Sequence, residues 1–404
     1  MSNGQLENRV VSGMRPTGRL HLGHYHGALK NWAQLQHQYD CFFFVADWHA
    51  LTTSYNETEN IEQNTYEMLI DWFASGVSPS ASTVFVQSKV PEHAELHVLL
   101  SMVTPLPWLE RVPTYKDTLR RLNDKNLNTF GFLGYPVLQA ADILMYRGAK
   151  VPVGADQEAH VEVTRDIARA FNWNFGRDDE WKSLAQKALG RVPKKIARQY
   201  ESWRKQYVEQ GVDEKLEAAR ALVFEQSHLS NDEQERLIGY LADGGRIILP
   251  EPEVLLTDTP KVPGLNGEKM SKSYNNTVLL REEHSSLEAK IRTMQTDPAR
   301  ARRSDPGDPS KCPVYDLHKI YSSQETLDWA ANGCRSAGIG CIDCKGPLID
   351  SLKTEQVQFN DRAAPFVEDR NLIRNIIEKG SEKARVIAKE TLEDVRSAMG
   401  VSFR

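Results

Sequence analysis

The sequence predicts an α/β protein built on a doubly wound parallel sheet. In the first third of the chain, short apolar runs of strand length alternate with longer stretches of helical period. The run at 41–46 is apolar on both faces, as in a parallel strand that helices cover on each side. Strand–helix alternation of this kind is typical of a doubly wound layer.

The individual elements follow from the spacing of apolar residues along the chain. The first predicted helix, for example, carries Leu22, Leu29, Trp32 and Ala33 along one face. The predicted strands are 9–12, 41–46, 82–87 and 150–153, and the predicted helices are 22–36, 57–75, 135–146 and 157–171.

The second half of the chain has a different pattern. Residues 177–247 are charged, helical in period and poor in buried strands, which predicts an inserted helical subdomain. From 285 onward the chain is helical in period, apart from a Pro/Gly/Asp loop at 304–313 and a cysteine segment. We therefore expect four regions: 1–176, 177–247, 248–284 and 285–404.

Length and charge limit the classes of protein to consider. With 404 residues the chain has room for two or three domains. Its net charge of −5 argues against a protein that coats nucleic acid through bulk charge, although a local basic patch is compatible with it. Seven of the residues from 187 to 205 are basic and only Glu201 is acidic. A solvated helix face and an RNA contact both remain open there.

Composition also indicates the compartment. No segment approaches the roughly 18 apolar residues of a spanning helix, and the polar residues 1–9 lack the apolar region of a signal peptide. Five cysteines are too few for a disulfide scaffold. We expect a cytoplasmic protein with reduced thiols and no membrane partner.

The first candidate site is the loop and helix start that follow the first predicted strand. His21-Leu22-Gly23-His24 opens the helix, and helix N-termini present free N–H groups to anions. His21 and His24 are neighbours on one face, so both can donate to phosphate oxygens. Gly23 leaves room for a flat base beside the backbone.

The second candidate site is the Lys269-Met270-Ser271-Lys272-Ser273 segment, which follows a Gly/Pro-rich stretch. Two lysines in such a loop form a cationic clamp of the kind that nucleotidyl transfer needs where negative charge develops. On its own, the segment is equally typical of a solvated charged loop.

Together the two motifs resemble the signature pair of class I aminoacyl-tRNA synthetases. The chain is also similar to the bacterial tryptophanyl-tRNA synthetases nearly throughout, apart from 177–247. This resemblance implies a Rossmann-like catalytic domain (1–176 and 248–284), a helical anticodon-binding domain (285–404) and a homodimer. The segments that carry it are 12–29, 44–53, 110–115, 135–146, 151–165 and 269–274.

The resemblance implies that the protein activates tryptophan with ATP and Mg²⁺ and then charges the tRNA for tryptophan. The attacking carboxylate is already ionised near neutral pH, so alignment and charge stabilisation replace a general base. The implied catalytic residues are His21, His24, Lys269 and Lys272. The implied ATP-binding residues are Arg15, Pro16, Thr17, Gly23, His24, Gly154, Ala155, Asp156, Val262, Lys269, Met270, Ser271, Lys272 and Ser273.

For the amino acid, the resemblance assigns Asp142 as the acceptor of the indole N–H. Asp142 follows Tyr135 by two helical turns, so the two can share a face. A buried carboxylate left unpaired would penalise phenylalanine, but tyrosine could also donate to it. The remaining implied pocket residues are Tyr135, Gln139, His49 and Gln157, of which Gln139 adds a polar group to an apolar pocket.

Four cysteines form the third candidate site. Cys312, Cys334, Cys341 and Cys344 lie within 33 residues, and the closing C-x-x-C pair is expected to chelate from a tight turn. Four clustered thiols in a reducing compartment favour a metal over a disulfide, and the spacing suits either Zn²⁺ or a [4Fe–4S] cluster. A subset of tryptophanyl-tRNA synthetases with this spacing implies [4Fe–4S], with Zn²⁺ as the alternative. Cys41 is expected in the core.

One extension and three alternatives accompany this interpretation. The cysteine site lies next to Arg300, Arg302 and Arg303, which we expect to face an RNA loop. Tyrosyl-tRNA synthetases share the fold and motifs. Shorter H-x-G-H nucleotidyltransferases lack the lysine loop, and a synthetase-like regulator would not require intact His21, His24, Lys269 and Lys272.

Overall fold

The fold is organised around one five-stranded sheet. In this computed structural model the described residues are 8–112, 115–116, 127–147, 150–154, 158–177, 180–210, 212–241, 245–256 and 261–403. The strands are β1 (Arg9–Met14), β2 (Asp40–Val45), β3 (Thr83–Val86), β4 (Lys150–Val153) and β5 (Glu253–Leu256). They are ordered β3-β2-β1-β4-β5, and Val10 of β1 pairs in parallel with Lys150 of β4. The predicted doubly wound α/β class is confirmed.

Four of the five strands lie where the apolar runs predict them. The fifth, β5, has no counterpart among the predicted strands. Its four residues are exposed or half-buried rather than fully buried, so it lacks the continuous apolar run that marks a central strand. It ends the sheet as an edge strand.

The predicted helix at 22–36 is present but is not uniform. It consists of α1 (Leu22–His24), a π-helical segment at Tyr25–Leu29 and α2 (Lys30–Leu35). The other helices of the described residues are α3 (Asp47–Ser54), α4 (Ile61–Ala74), α5 (Glu92–Ser101), α6 (Leu106–Arg111), α7 (Phe130–Leu133), α8 (Tyr135–Met145), α9 (Glu158–Phe175), α10 (Trp181–Arg191), α11 (Lys194–Gln210), α12 (Asp213–Phe224), α13 (Asn231–Leu241), α14 (His284–Thr293), α15 (Pro313–Tyr321), α16 (Gln324–Arg335), α17 (Cys341–Glu368) and α18 (Arg370–Ala398).

The chain folds into two compact units, which we describe separately. The first unit contains Met1–Ser12, Val86–Leu255 and Ser381–Arg404, and the second contains Gly13–Phe85 and Leu256–Gly380. The four regions expected from composition remain predictions about domain borders. None of the helices in the described residues is both long and apolar enough to cross a bilayer.

In the first unit, the end of α18 is anchored to α5 and α8. Arg385 binds the carboxylate of Glu92 with three hydrogen bonds of 2.8–3.1 Å. Thr391 donates its hydroxyl to the backbone oxygen of Met145 at 2.8 Å. These contacts fix the helices that carry the polar residues described below.

The segment at 177–247 forms helices α10–α13 in its described part, as predicted. These helices share a core of their own, with Leu189, Tyr200, Val223 and Leu237 among its buried members. The hydroxyl of Tyr200 donates to the backbone oxygen of Leu237 at 2.6 Å, so the core leaves this buried polar group satisfied.

In the second unit, the sheet packs against aromatic side chains. Trp32 stacks on Phe43 with ring centroids 4.4 Å apart and meets Trp72 edge-on at 4.9 Å. Gly13, at the end of β1, lies so close to Phe44 that an added Cβ would come within 2.4 Å of its ring. The Cys41 side chain is fully buried in β2, as expected for a core residue.

Candidate active site

The loop between β1 and α1 is fixed by backbone pairing with the segment that follows the lysine loop. The amide of Leu22 donates to the carbonyl of Val278 at 3.0 Å, and the amide of Leu280 donates to the carbonyl of Leu20 at 2.9 Å. His21 and Leu279 thereby form an antiparallel bridge. Two segments more than 250 residues apart in sequence therefore share one local frame.

A buried carboxylate reinforces this pairing. Asp71 of α4 is fully buried; its Oδ2 accepts the amide of Leu20 at 2.5 Å and its Oδ1 accepts Nε of Arg281 at 2.5 Å. Burial raises the pKa of Asp71, while the positive charge of Arg281 and the Leu20 amide act in the opposite direction. Arg281 also donates to Glu67 at 2.9 Å.

The two histidines of the first motif are in ring contact. Their centroids are 3.7 Å apart, and the backbone amide of His21 donates to Nδ1 of His24 at 3.3 Å. Burial, followed by the neighbouring His24 and Lys272, lowers the pKa of His21 to about 3. Burial and Lys272 lower the pKa of His24 to about 4. Both rings are therefore neutral near pH 7, and each has one N–H to donate.

Gly23 separates the two histidines in a tight space. A Cβ on Gly23 would lie 3.0 Å from the His21 ring and 3.5 Å from the side chain of Met270. A side chain at this position would push the histidines or the lysine loop aside. The requirement for glycine here comes from this crowding.

Asn276 shapes the lysine loop from within. Its Oδ1 accepts the amide of Ser271 at 2.8 Å, and its Nδ2 donates to the carbonyl of Lys269 at 3.2 Å. The hydroxyls of Ser271 and Ser273 are 2.9 Å apart. Met270 is buried, and its amide donates to the carbonyl of Val262 at 3.3 Å.

The structure brings the two motifs together within the second unit. Nζ of Lys272 donates to the carbonyl of Thr17 at 2.5 Å and lies 3.5 Å from its hydroxyl. Burial lowers the pKa of Lys272, and the charge of Asp71 opposes that shift. Lys269 is exposed instead. One lysine thus contacts the phosphate-loop candidate, while the other faces solvent.

The other predicted residues of this region are placed as follows. Pro16 is buried, whereas Thr17 and Arg15 are exposed, and Arg15 lies 3.5 Å from the hydroxyl of Thr53. His49 is half-buried in α3. Gly154 follows β4 in the first unit, and Ala155, Asp156 and Gln157 lie outside the described residues.

In the first unit, α8 carries the predicted amino-acid residues. Tyr135 and Gln139 both contact His160 of α9: the Tyr135 and His160 rings are 5.8 Å apart, and Gln139 Oε1 is 2.9 Å from His160 Nδ1. The polar group that Gln139 adds therefore has a partner. His160 is a residue that sequence reasoning missed.

Asp142 lies in a buried polar network on the same helix. Nε2 of Gln87 donates to both Asp142 oxygens at 2.7 and 2.9 Å, and Nδ1 of His93 is 2.5 Å from Oδ1. Nε2 of His93 is in turn 2.5 Å from the hydroxyl of Tyr146. These partners were also missed; the local signal is that Gln87 is the last residue of the predicted strand 82–87 and that His93 comes six residues later.

The four cysteines are free thiols that gather where three helices begin or end. Cys312 precedes α15, Cys334 lies near the end of α16, and Cys341 and Cys344 occupy the first turn of α17. The expectation of a tight turn is wrong, because the C-x-x-C pair is helical. Burial, followed by the charges of the other three cysteines, raises the pKa of Cys344 to about 12.

Two observations limit what this cluster is. In the described residues, which include all four cysteines, no group of His, Cys, Asp or Glu side chains is arranged to hold a metal ion. Arg300, expected to face RNA, is buried instead; it lies 3.8 Å from Cys334 Sγ and donates to the carbonyl of Ile339 at 2.5 Å. Arg303 pairs with Asp343 at 3.1 Å, and Arg302 is exposed.

Comparison with known proteins identifies relatives along the whole chain. The family model described as "tRNA synthetases class I (W and Y)" matches residues 3–189 and 195–354. The chain is 56% identical to the tryptophan--tRNA ligase of Ralstonia nicotianae over 98% of this chain and 99% of that protein. It is 41% identical to the tryptophan--tRNA ligase of Thermotoga maritima, covering 98% and 100%.

A solved structure is similar as well. The crystal structure of tryptophanyl-tRNA synthetase from Campylobacter jejuni, complexed with ADP and tryptophan, superposes with a TM-score of 0.72 at 26% sequence identity. The superposition covers 97% of this chain and 99% of that one.

Replacing Asp71 with asparagine will destabilise the protein. The amide NH₂ of Asp71→Asn would face either the Leu20 amide or Arg281, and Arg281 would lose its buried counter-charge. We expect the free energy of unfolding, measured by urea denaturation, to fall by about 3–5 kcal/mol. The control Asp316→Asn breaks an exposed pair with Lys319 and will cost less than about 1 kcal/mol. Equal losses in the two variants would contradict this role.

Proposed function

The chain belongs to the class I tRNA synthetases of the tryptophan and tyrosine family, and from this membership we propose that it is an ATP-dependent tryptophan–tRNA ligase. It converts tryptophan and ATP to tryptophanyl-adenylate and pyrophosphate, and then transfers tryptophan to the 3′ adenosine of its tRNA. The observation that carries the choice of tryptophan is the 56% identity to a tryptophan--tRNA ligase along the full chain.

In the first step, an oxygen of the tryptophan carboxylate forms a bond to the α-phosphorus. The bond to the bridging oxygen of the β-phosphate breaks, and pyrophosphate leaves. No proton is transferred, so the protein's contribution is alignment and compensation of negative charge. Mg²⁺ arrives with ATP as part of the substrate.

Lys269 and Lys272 supply the positive charge for this step. The contact of Lys272 with Thr17 supports this role, because it places an ammonium group beside the loop at the start of the first motif. His21 and His24 act as neutral N–H donors to phosphate oxygens. Arg15, Pro16, Thr17, Gly23, Gly154, Ala155, Asp156, Val262, Met270, Ser271 and Ser273 complete the ATP site.

For the amino acid, Asp142 accepts the indole N–H. The hydrogen bonds that it accepts from Gln87 and the contact with His93 support a role as a fixed acceptor. Tyr135, Gln139, His49 and Gln157 complete the pocket. The protein acts in the cytoplasm, as a homodimer like the family it belongs to.

The four cysteines Cys312, Cys334, Cys341 and Cys344 would hold a [4Fe–4S] cluster, with Zn²⁺ as the alternative. All four thiols are free and lie at the ends of neighbouring helices, and thiolate is the ligand both groups prefer. Arg300 beside Cys334 and the N-terminus of α17 at Cys341 and Cys344 would stabilise their negative charge. When bound, the cluster ties the α15, α16 and α17 regions together, and no step of the ligation passes through it.

Amino-acid-dependent ATP–pyrophosphate exchange tests the proposed function. Tryptophan will support exchange, and tyrosine will support at least about 100-fold less, because the pocket must discriminate by shape as well as by a donor. The variant Lys272→Ala will lose exchange by about 100-fold or more, since a charge that stabilises the transition state is removed. Exchange with tyrosine at the level of tryptophan would contradict the assignment.

Visible absorbance and metal analysis of anaerobically purified protein test the cysteine site. A [4Fe–4S] cluster will give a brown protein with about four iron and four sulfide per chain. Replacing all four cysteines with serine will abolish the colour and weaken tRNA charging, while exchange persists. Cys41→Ala, in the core of β2, will keep the colour. A colourless protein that contains zinc would establish the alternative. Equal loss of tRNA charging and pyrophosphate exchange in the four-cysteine variant would mean that the site stabilises the whole fold.

A further inference from the structure

We propose that His93 is a positioning residue for tryptophan selection, acting through Asp142. This inference rests on the proposed function and concerns the side chains behind the acceptor. Gln87, His93, Asp142 and Tyr146 are each 1% exposed or less, so the four form a network sealed from solvent. They come from separate elements: Gln87 follows β3, His93 lies in α5, and Asp142 and Tyr146 lie in and just after α8.

The hydrogen bonds assign the tautomer of His93. Nδ1 faces an oxygen of Asp142 at 2.5 Å, and a carboxylate can only accept, so Nδ1 carries the proton. Nε2 faces the Tyr146 hydroxyl, also at 2.5 Å. In neutral imidazole, Nε2 is then the acceptor and Tyr146 the donor. The order of donation runs from Tyr146 through His93 to Asp142.

This arrangement fixes the orientation of the carboxylate. Gln87 bridges both oxygens of Asp142, and His93 binds one of them from another direction, so the carboxylate group cannot rotate without breaking a buried hydrogen bond. N–H donors stabilise its ionised form. An ionised carboxylate only accepts hydrogen bonds, and it therefore rewards a side chain that brings a donor.

The frame around His93 is itself anchored. Its neighbour Glu92 is held by Arg385, and the end of α8 is held by Thr391 through the carbonyl of Met145. A residue that holds the acceptor from rigid helices can set the direction of the acceptor's hydrogen bond to substrate, whereas a residue on a flexible segment cannot.

The test compares tryptophan with its benzothiophene analogue, in which sulfur replaces the indole N–H. In His93→Leu, kcat/KM for tryptophan in pyrophosphate exchange will fall by about 10- to 100-fold, while that for the analogue changes by less than about 3-fold. His93→Asn, whose amide can replace Nδ1–H, will recover most of the discrimination. Tyr146→Phe, which loses the donor to Nε2, will lose part of it, and KM for ATP will stay unchanged in all three.

The matched control is His26→Leu, which removes another buried histidine–tyrosine hydrogen bond, the one to Tyr321 at 2.7 Å in the second unit. It will leave the ratio of the two substrates unchanged. Equal losses for tryptophan and the analogue in His93→Leu would overturn the proposal and make His93 a packing residue. If that variant does not fold, Tyr146→Phe decides by the same ratio. A wild-type protein inactive with tryptophan would instead overturn the proposed function.

A separate observation concerns helices α10 and α11, which we infer to be an RNA-binding face. Arg191 is paired with Glu233, and Arg204 donates to the Tyr240 carbonyl at 2.7 Å. Four other cations are exposed and have no ion pair within the described part of the chain: Lys187, Lys194, Lys195 and Arg198.

The charges of this segment are segregated in the sequence. From 187 to 205 there are seven basic residues and one acidic residue, whereas from 206 to 246 there are four basic and nine acidic residues. Because the four helices share a core, the basic side is presented on a folded support. RNA phosphates fit such a face, and the proposed activity brings a tRNA to the protein.

Binding of a tRNA transcript to the full-length protein at several salt concentrations tests this face. The triple variant Lys194→Gln/Lys195→Gln/Arg198→Gln will weaken binding, and the slope of log Kd against log salt will fall by about two. Glu201→Gln, which removes the lone acidic residue, will tighten binding. The control Lys215→Gln/Arg220→Gln on α12 will leave the slope unchanged. None of these variants will change the rate of pyrophosphate exchange measured without tRNA. An unchanged slope in the triple variant would make α11 a solvated face.

Discussion

The register of the two motifs in the second unit depends on one buried carboxylate, that of Asp71. It accepts the backbone of Leu20 just before the first motif and the guanidinium of Arg281 just after the lysine loop. A buried ion pair seldom adds net stability over apolar packing, but it specifies one arrangement, because every alternative leaves a buried charge unpaired. Here the specified arrangement is the register that bridges His21 to Leu279 and sets Lys272 beside Thr17.

The buried polar network of the first unit uses the same physical device with different residues. Asp142 is surrounded by donors, and its surroundings are fixed by contacts from residues nearly 300 positions away in sequence, such as Arg385 on Glu92. In both units a buried acid is held by donors from elements that are distant from it in the sequence. A rigid acceptor or cation costs little reorganisation when the substrate binds, which is the basis of electrostatic preorganisation.

How much of this could be read from the sequence depended on whether a feature was local. The strands β2 and β4 and helix α8 were predictable because burial on known faces leaves a periodic pattern. Strand β5 was missed because an edge strand has no continuous apolar run. The helical conformation of the C-x-x-C pair was missed because glycines precede both helix starts and turns. The motif residues were found by spacing. Gln87, His93 and Asp71 form no motif, since they matter through contacts that only folding creates.

Burial keeps the two histidines neutral and leaves the positive charge of the two motifs to the lysines. A protonated His21 or His24 would add positive charge, but it would stand in ring contact with the other histidine and near Lys272, and burial makes that charge costly. The lowered pKa values resolve the conflict: the imidazoles keep one directional N–H each, and charge is left to the lysines. Lys272 tolerates partial burial because the carboxylate of Asp71 counteracts it. The charge of Lys272 therefore depends on the same buried acid that holds the two motifs in register.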